Sequence, residues 1–172
     1  MTLESHTGPS SLSLREIWNQ TYDVNVSGTH VMTHVFAPLL LESSDPRLIF
    51  LTSGLAQLET MSRTYFAPPS QSPAPAGWPK PARFFPNAYR SSKTALNMMM
   101  LTWHWTLKAD GVKVWSISPG LLATGLGGDV ELLRRLGAGH PSAGGRLLRD
   151  VIEGRRDADV GKVVNKDGTQ VW

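Results

Sequence analysis

Apolar residues recur near helical spacing along the first quarter of the chain. Residues 13–16 have the form of a capping box, in which the Ser13 hydroxyl bonds the amide of the third helical residue and Glu16 reaches back. The pattern therefore predicts a long helix from residue 14 to about residue 41, which Pro38 should bend near its end. Its apolar positions are Ile17, Val24, Gly28, Val31, Val35 and Leu39.

Short apolar runs alternate with helical patterns along the rest of the chain. Residues 47–51 form a continuous apolar run typical of a buried parallel strand, and a second long helix is predicted over 88–109. The order of strand, helix and strand indicates an α/β fold with a parallel sheet and right-handed crossovers. The other predicted elements are strands at 112–117 and 161–164, a turn at 166–168, and helices near 130–136 and 143–153.

Composition adds few restrictions to this picture. The 172 residues are enough for one domain with a sizeable core, and 41% hydrophobic content with 18% charge is ordinary for a globular protein. The absence of cysteine excludes disulfides, thiolate metal sites and a catalytic thiol. With neither a signal-peptide pattern at its start nor an apolar stretch that could span a bilayer, the sequence predicts a cytoplasmic protein.

The net charge of +3 does not predict a nucleic-acid interface. From Asp129 onward, eight basic residues are interleaved with seven acidic ones. Such a mixture is typical of solvated helices and differs from a continuous track for phosphates.

The clearest candidate chemistry lies in the sequence Tyr89-Arg90-Ser91-Ser92-Lys93. Residues four apart share one face of a helix, so the Lys93 ammonium can lie near the Tyr89 phenol and favour its ionised form. We therefore expect a lowered pKa for Tyr89, which would make it a proton donor or acceptor near neutral pH.

Three further segments accompany this pair in a fixed order. Upstream lie residues 23–28, which contain Asn25, and the sequence Thr52-Ser53-Gly54 at the end of a predicted strand. Downstream, Pro119-Gly120 follows the next strand, with Thr124 four residues further on. From about residue 12 to residue 172, this ordered set resembles the short-chain dehydrogenase/reductase family.

The resemblance implies a role for each matched residue. Ser53 would hydrogen-bond a substrate carbonyl, and Tyr89 would exchange its proton. Lys93 would lower the Tyr89 pKa and hold the nicotinamide ribose of the cofactor. Asn25 would kink its helix and hold a water in the proton relay.

The resemblance also implies a nicotinamide contact by Thr124, following Pro119 and Gly120. The family's opening strand, glycine-rich turn and helix, which hold the dinucleotide phosphates, have no counterpart here. The glycine cluster at residues 125–128 follows a later strand and is interpreted as a flexible loop. The predicted fold is therefore the C-terminal half of a Rossmann-like, doubly wound parallel sheet with long flanking helices and incomplete N-terminal strands: a single truncated domain over 1–172.

A proline-rich segment at residues 65–87 separates Ser53 from Tyr89. Seven of the twelve prolines lie at 68–86, which excludes a helix or central strand and predicts a stiff, extended loop. One hypothesis makes this loop a wall of the substrate pocket; the alternative is a disordered surface insertion. The aromatic residues that would line the wall are Tyr65, Phe66, Trp78, Phe84 and Phe85. Residues 1–11 are expected to form a loose leader.

His30 and His34 share a helical face at a spacing known from zinc sites. No third ligand is evident, so packing or an oligomer interface is preferred and no metal is expected. The strand at 48–51 would have an open edge if the family's earlier strands are missing. We therefore expect an obligate homodimer that buries the two long helices, and elements could be exchanged between the subunits.

Three functions remain open at this stage. The preferred one is cofactor-independent acid/base or carbonyl-polarising chemistry, such as isomerisation, dehydration, aldol-type closure or cyclisation, on an apolar, polyketide-like secondary metabolite. The reason is that a chain without the phosphate-binding turn should hold a dinucleotide poorly. The alternatives are an NADP(H)-dependent carbonyl reductase or alcohol dehydrogenase, with its nucleotide half missing or supplied by another chain, and a non-catalytic binding subunit.

Overall fold

The computed structural model describes residues 12–63, 75–80 and 86–172. Its α-helices are α1 (Leu14–Tyr22), α2 (Thr29–Leu41), α3 (Leu58–Arg63), α4 (Asn87–Thr106), α5 (Val130–Arg135) and α6 (Ser142–Ile152). Its strands are β1 (Arg47–Leu51), β2 (Lys113–Ile117), β3 (Val163–Asn165) and β4 (Gly168–Gln170). In this part of the chain, no helix is long and apolar enough to cross a membrane.

The first predicted helix is present but is not uniformly α-helical. Its capping box is formed, with the Ser13 amide 2.6 Å from a Glu16 carboxylate oxygen and the Glu16 amide 3.3 Å from the Ser13 hydroxyl. Between α1 and α2, the π-helical segment Asp23–Gly28 widens the turn and places Asn25 in the interior. A Cβ at Gly28 would lie 3.0 Å from the Asp23 carbonyl oxygen, which explains why glycine suits the end of this turn.

The sheet confirms the predicted α/β architecture. Its strand order is β1-β2-β3-β4, with the first two pairings parallel and the last antiparallel. β1 and β2 run in register from Arg47 opposite Lys113 to Leu51 opposite Ile117, so their carboxyl ends lie side by side. Strand β4 and helix α3 were not predicted: β4 has only three residues, and α3 six, and neither shows a clear apolar period.

Helices cover both faces of the sheet. The α4 side contains the buried residues Phe50, Leu96, Met100, Trp103, Leu107, Val112 and Val114. The α6 side contains Trp115, Ile117, Leu147, Val151 and Val164. Alternation along β2 explains this division, because successive side chains of a strand point to opposite faces. Helix α4 thereby holds its first turns against the carboxyl ends of β1 and β2.

A cluster of ion pairs connects β1 and β2 with Asp157 at the opposite end of the sheet. The Arg47 guanidinium bonds both carboxylate oxygens of Asp157, at 2.6 and 3.1 Å, and the Val151 carbonyl oxygen at 2.8 Å. The Lys113 ammonium bridges Asp157 at 2.6 Å and Asp45 at 2.8 Å. Hydrogen bonds from Arg47 and Lys113 lower the pKa of Asp157 to about 2.

This cluster should make folding stability depend on pH in the acid range. Because the folded-state pKa of Asp157 is lowered from 3.8 to about 2, its contribution is present above about 4 and is lost as pH falls through about 2. The carboxylate is about a third exposed (35%), so we expect Asp157→Asn to cost only about 1 kcal/mol near neutral pH. Urea unfolding of the parent protein and of Asp157→Asn at several pH values measures the difference in their unfolding free energies, which should vanish below about pH 2.

The matched control for that experiment is Asp167→Asn, because the Asp167 side chain is 72% exposed and pairs with its neighbour Lys166. This variant should leave the unfolding free energy unchanged within about 0.5 kcal/mol. Equal losses in the two variants, or a loss that does not diminish in acid, would contradict the assigned role of the cluster.

Candidate active site

The carboxyl end of β1 delivers Ser53 to the edge of the sheet. The amide of Thr52 still pairs with the Ile117 carbonyl oxygen at 2.8 Å, so the two strands stay together up to this point. The Ser53 hydroxyl then accepts a hydrogen bond from the Leu55 amide at 3.2 Å and caps the 3-10 turn Gly54–Ala56. Ser53 is therefore fixed by local hydrogen bonding where open α/β sheets place their sites.

The first turns of α4 place Tyr89 against Ser53. The Ser53 side chain lies close enough to the Tyr89 phenol to lower its pKa. Burial raises the pKa of Tyr89, and the contact with Ser53 opposes this rise only in part. The phenol therefore holds its proton at neutral pH and is suited to donate it.

The predicted lowering of the Tyr89 pKa is wrong in direction, because burial raises it. The Lys93 ammonium nitrogen lies 5.8 Å from the centre of the Tyr89 ring and donates to the Leu51 carbonyl oxygen at 2.8 Å. Burial lowers the pKa of Lys93 itself. Because this ammonium is bonded to the strand, desolvation of the phenol dominates and the Tyr89 pKa moves upward.

Asn25 is connected to Tyr89 through Ser92. The Asn25 amide nitrogen donates to the Ser92 hydroxyl at 2.9 Å, and that hydroxyl donates to the Tyr89 carbonyl oxygen at 2.8 Å. Ser92 is fully buried. The sequence analysis named Ser92 only as part of the motif. Its position three residues after Tyr89, on the same helical face, is the signal that could have identified this pair of hydrogen bonds.

The segment after β2 contains the three residues matched to a nicotinamide contact. Gly120 has a φ of +82°, a left-handed conformation that favours glycine and turns the chain immediately after Pro119. Thr124 is half-buried and precedes the 3-10 turn Gly125–Gly127, and its side chain makes no capping hydrogen bond to that turn. A threonine hydroxyl in this position can donate to an amide carbonyl.

Two segments are the candidates to hold one end of a nicotinamide dinucleotide. Lys93 lies within α4, whereas the Pro119-Gly120 turn and Thr124 follow β2, and together they could hold the nicotinamide and its ribose. In the described ranges, no glycine-rich turn joins a first strand to a helix. The segment interpreted as a flexible loop contains the 3-10 turn Gly125–Gly127, which follows β2. The pyrophosphate and adenosine have no matching element among these residues.

The proposed aromatic wall is largely beyond the described residues. Tyr65, Phe66, Phe84 and Phe85 lie outside the ranges given above, whereas Trp78 is described and is 87% exposed. The predicted loop boundary at residue 87 overlaps α4, which begins at Asn87. The leader at 1–11 also lies outside the described residues. The pocket wall therefore stays a hypothesis.

His30 and His34 pack among aromatic rings. Their ring centres are 6.4 Å apart, and the His30 ring centre lies 5.6 Å from that of Trp103 on α4. Counting only residues that the structure describes, no group of three or more His, Cys, Asp or Glu side chains could hold a metal ion. Both histidines are exposed, so packing and an oligomer interface both stay open as interpretations.

Sequence reasoning missed the contribution of the last strand to the site. The Gln170 side-chain amide donates to the Ser53 carbonyl oxygen at 3.3 Å. The Glu59 amide, in the first turn of α3, donates to the main-chain oxygen of Trp172 at 2.7 Å. These contacts join residues more than one hundred positions apart, so no local pattern could have indicated them.

Comparison with known proteins identifies close sequence relatives. The chain is 56% identical over 160 residues, 92% of its length, to the short-chain dehydrogenase/reductase tropE of Talaromyces stipitatus. It is 46% identical over 179 residues, 99% of its length, to the short-chain dehydrogenase/reductase eupG of a Phoma species. The matches cover 59% and 63% of these two relatives, so the chain spans about three fifths of their length. No protein-family model matches the chain.

Solved structures show the same fold at low sequence identity. The NADPH-bound carbonyl reductase from chicken fatty liver superimposes with a TM-score of 0.72 at 18% identity, over 100% of this chain and 64% of that one. The carbonyl reductase Sniffer of D. melanogaster gives a TM-score of 0.64 at 20% identity, over 96% of this chain and 60% of that one. The described sheet and helices therefore match about three fifths of these folds.

Proposed function

We propose that this chain, which belongs to the short-chain dehydrogenase/reductase family, carries the carbonyl-binding and proton-donating part of an NADP(H)-dependent reductase site. The observation that carries the proposal is the packing of the first turns of α4 on the turn that carries Ser53, where the Thr94 hydroxyl donates to the Ala56 carbonyl oxygen at 3.1 Å. Burial there raises the pKa of the Tyr89 phenol. A phenol that keeps its proton is a general acid, and reduction of a carbonyl requires one at the oxygen.

In this proposal Ser53, Tyr89 and Lys93 each have a separate role in carbonyl reduction. The Ser53 hydroxyl and the Tyr89 phenol bind the carbonyl oxygen and stabilise the negative charge that develops there. Bound NADPH would supply a hydride to the carbonyl carbon. Tyr89 gives its proton to the oxygen, which completes the alcohol. The Lys93 ammonium, 5.8 Å from the ring, favours the phenolate that remains.

Asn25 and Ser92 keep the acid in place during this cycle. Asn25 donates to the Ser92 hydroxyl, and that hydroxyl donates to the carbonyl oxygen of Tyr89 in the first turn of α4. Because both side chains are buried, they fix the backbone from which the phenol extends. We assign them to positioning Tyr89 for proton transfer.

A second candidate is cofactor-independent chemistry at the same pair. The observation that favours it is the Lys93 ammonium, which donates to the Leu51 carbonyl oxygen at 2.8 Å and so already has a partner within the protein without a ribose. Ser53 and Tyr89 could polarise a carbonyl for isomerisation, dehydration or cyclisation without any hydride. For either candidate we propose an apolar, polyketide-like secondary metabolite as substrate, in a cytoplasmic fungal enzyme.

Replacing Thr124 with Val distinguishes the two candidates. If the Thr124 hydroxyl bonds the nicotinamide amide, Thr124→Val should weaken NADPH binding by about three- to tenfold, the cost of one hydrogen bond. Isothermal titration of each protein with NADPH measures this, with Thr102→Val as the control because Thr102 is exposed on the later part of α4. Unchanged binding in Thr124→Val, or carbonyl conversion that is independent of NADPH, would favour the cofactor-independent candidate.

We further propose that two copies of the chain associate through α1, α2 and α4. Large apolar side chains are exposed along these helices and the π-helical segment between α1 and α2: Leu14, Val24, Val31, Met32, Val35, Phe36, Leu39, Met98 and Trp105. Contiguous exposed apolar surface of this kind is typical of an interface. Among the described strands, β1 pairs with β2 alone, so its other edge could also take part.

A charge on the exposed face of α2 should separate the two copies. Val35 is 59% exposed, so Val35→Glu should leave the fold intact but bury an unpaired carboxylate in the interface. We expect a dimeric mass for the parent protein and a monomeric mass for the variant in light scattering. The control is Leu132→Glu on α5, where the side chain is 52% exposed. A monodisperse monomer for the parent protein at micromolar concentration would rule the interface out.

A further inference from the structure

Three side chains from separate elements hold the turn that carries Ser53. The Gln57 amide donates to the Gly54 carbonyl oxygen at 3.1 Å, and the Thr94 hydroxyl of α4 donates to the Ala56 carbonyl oxygen at 3.1 Å. The third donor is Gln170 of β4, whose amide bonds the carbonyl oxygen of Ser53 itself at 3.3 Å. Gln170 is thus the side chain that acts directly on the main chain of the serine.

The last strand is anchored on both sides of Gln170. Before it, the Arg156 guanidinium donates to the carbonyl oxygens of Asn165 and Gly168 at 3.2 and 2.7 Å and holds the β3–β4 turn. After it, the main-chain oxygen of Trp172 accepts the Glu59 amide of α3 at 2.7 Å. The half-buried Gln170 side chain therefore reaches Ser53 from a backbone that is fixed at two points.

We propose that Gln170 is a positioning residue, which orients the Ser53–Gly54 peptide so that the Ser53 hydroxyl reaches the Tyr89 phenol. The Ser53 hydroxyl accepts the Leu55 amide of the same turn at 3.2 Å, so displacement of the turn moves the hydroxyl. The role of Gln170 in carbonyl chemistry rests on the proposed function. The effect of Gln170 on the contact between Ser53 and Tyr89 does not.

Two substitutions separate loss of the donor from loss of the side chain. Gln170→Ala removes the amide, whereas Gln170→Glu keeps the shape but places a carboxylate, which cannot donate, against the Ser53 carbonyl oxygen. Both should loosen the peptide, whose carbonyl oxygen would still accept the Ala56 amide at 3.0 Å, and the Glu variant should displace it at least as far as the Ala variant. Thr169→Ala is the matched control, because Thr169 is the neighbouring exposed residue of the same strand.

The test follows the Tyr89 phenol by NMR in protein labelled with ¹³C at the ζ carbon of tyrosine. The chain has three tyrosines, and Tyr89→Phe assigns the resonance. Ser53→Ala should shift it and raise the phenol's apparent pKa by about half a unit to one unit, through loss of the Ser53 contact. Gln170→Ala and Gln170→Glu should shift it in the same direction, and the double variant Ser53→Ala/Gln170→Ala should add nothing further.

Other outcomes overturn the proposal. An unshifted Tyr89 resonance in both Gln170 variants, beside a shifted one in Ser53→Ala, removes Gln170 from the positioning role. An unshifted resonance in Ser53→Ala removes the contact that Gln170 is said to support. Equal shifts in Thr169→Ala would reduce the effect to general loosening of β4. These results stand whether or not the protein reduces a carbonyl, so they separate this inference from the proposed function.

If a carbonyl substrate is turned over, kinetics supply a second readout. Gln170→Glu should lower kcat by about tenfold with KM nearly unchanged, because the misplaced hydroxyl matters most when charge develops on the oxygen. The thermal midpoint should equal that of Thr169→Ala. A raised KM with unchanged kcat would place Gln170 in substrate binding and contradict the positioning role.

Discussion

Replacing Tyr89 with Phe should lower kcat for carbonyl reduction by about 10²- to 10⁴-fold, the usual contribution of a general acid. The ring keeps its place in α4, so only the proton and the contact with Ser53 are lost. KM should change little, because Ser53 can still bind the carbonyl oxygen. Steady-state rates with NADPH and an aromatic ketone measure both constants.

If Tyr89 is the acid, the activity of the parent protein should also fall at high pH. Because burial raises the Tyr89 pKa, the acid form persists at neutral pH, and activity should be lost only as pH rises through the raised value. Tyr22→Phe is the control: Tyr22 stacks on Trp18, with ring centres 6.0 Å apart, in α1. Full activity of Tyr89→Phe would show that the phenol is not the acid.

Replacing Trp115 with Ala should lower the free energy of unfolding by about 3–5 kcal/mol, the range for a large aromatic residue in a core. Trp115 is fully buried in β2, and its indole nitrogen donates to the Arg156 carbonyl oxygen at 3.1 Å. The Arg47 guanidinium lies 5.5 Å from its ring centre, so the substitution also removes a cation–π contact. Denaturant unfolding followed by circular dichroism measures the loss.

This loss is a large part of the 5–15 kcal/mol that stabilises a typical domain. Trp78→Ala is the control, because Trp78 is 87% exposed and its removal should cost less than about 0.5 kcal/mol. Similar losses in the two variants would contradict the assignment of the core around β2 and α6.

The α/β fold could be predicted because its main elements carry their own signals. The capping box at Ser13 set the start of the first helix, and the apolar run Arg47–Leu51 identified a parallel strand. The order of the matched motifs indicated that Ser53 and Tyr89 lie near each other, and Ser53 lies close enough to lower the Tyr89 pKa. Local periodicity and motif order thus predicted the main elements and the neighbourhood of these two residues.

The energetics of the site could not be read from spacing. The four-residue separation correctly placed Lys93 near Tyr89, but it gave no information on burial or on the Leu51 carbonyl oxygen that binds the ammonium. These two facts reverse the direction of the Tyr89 pKa shift. The contacts of Gln170 and Trp172 with the site were also invisible, because they depend on how distant segments pack.

Isothermal titration of the purified chain with NADPH, beside light scattering for its mass, would show whether the Ser53–Tyr89 site works with a nicotinamide. Reduced nicotinamide mononucleotide serves as a second probe, since the proposed contacts are all to the nicotinamide end. We expect saturable binding of NADPH that Thr124→Val weakens. A folded protein that binds neither probe would contradict the reductase proposal and leave Ser53 and Tyr89 as a site for chemistry without a hydride.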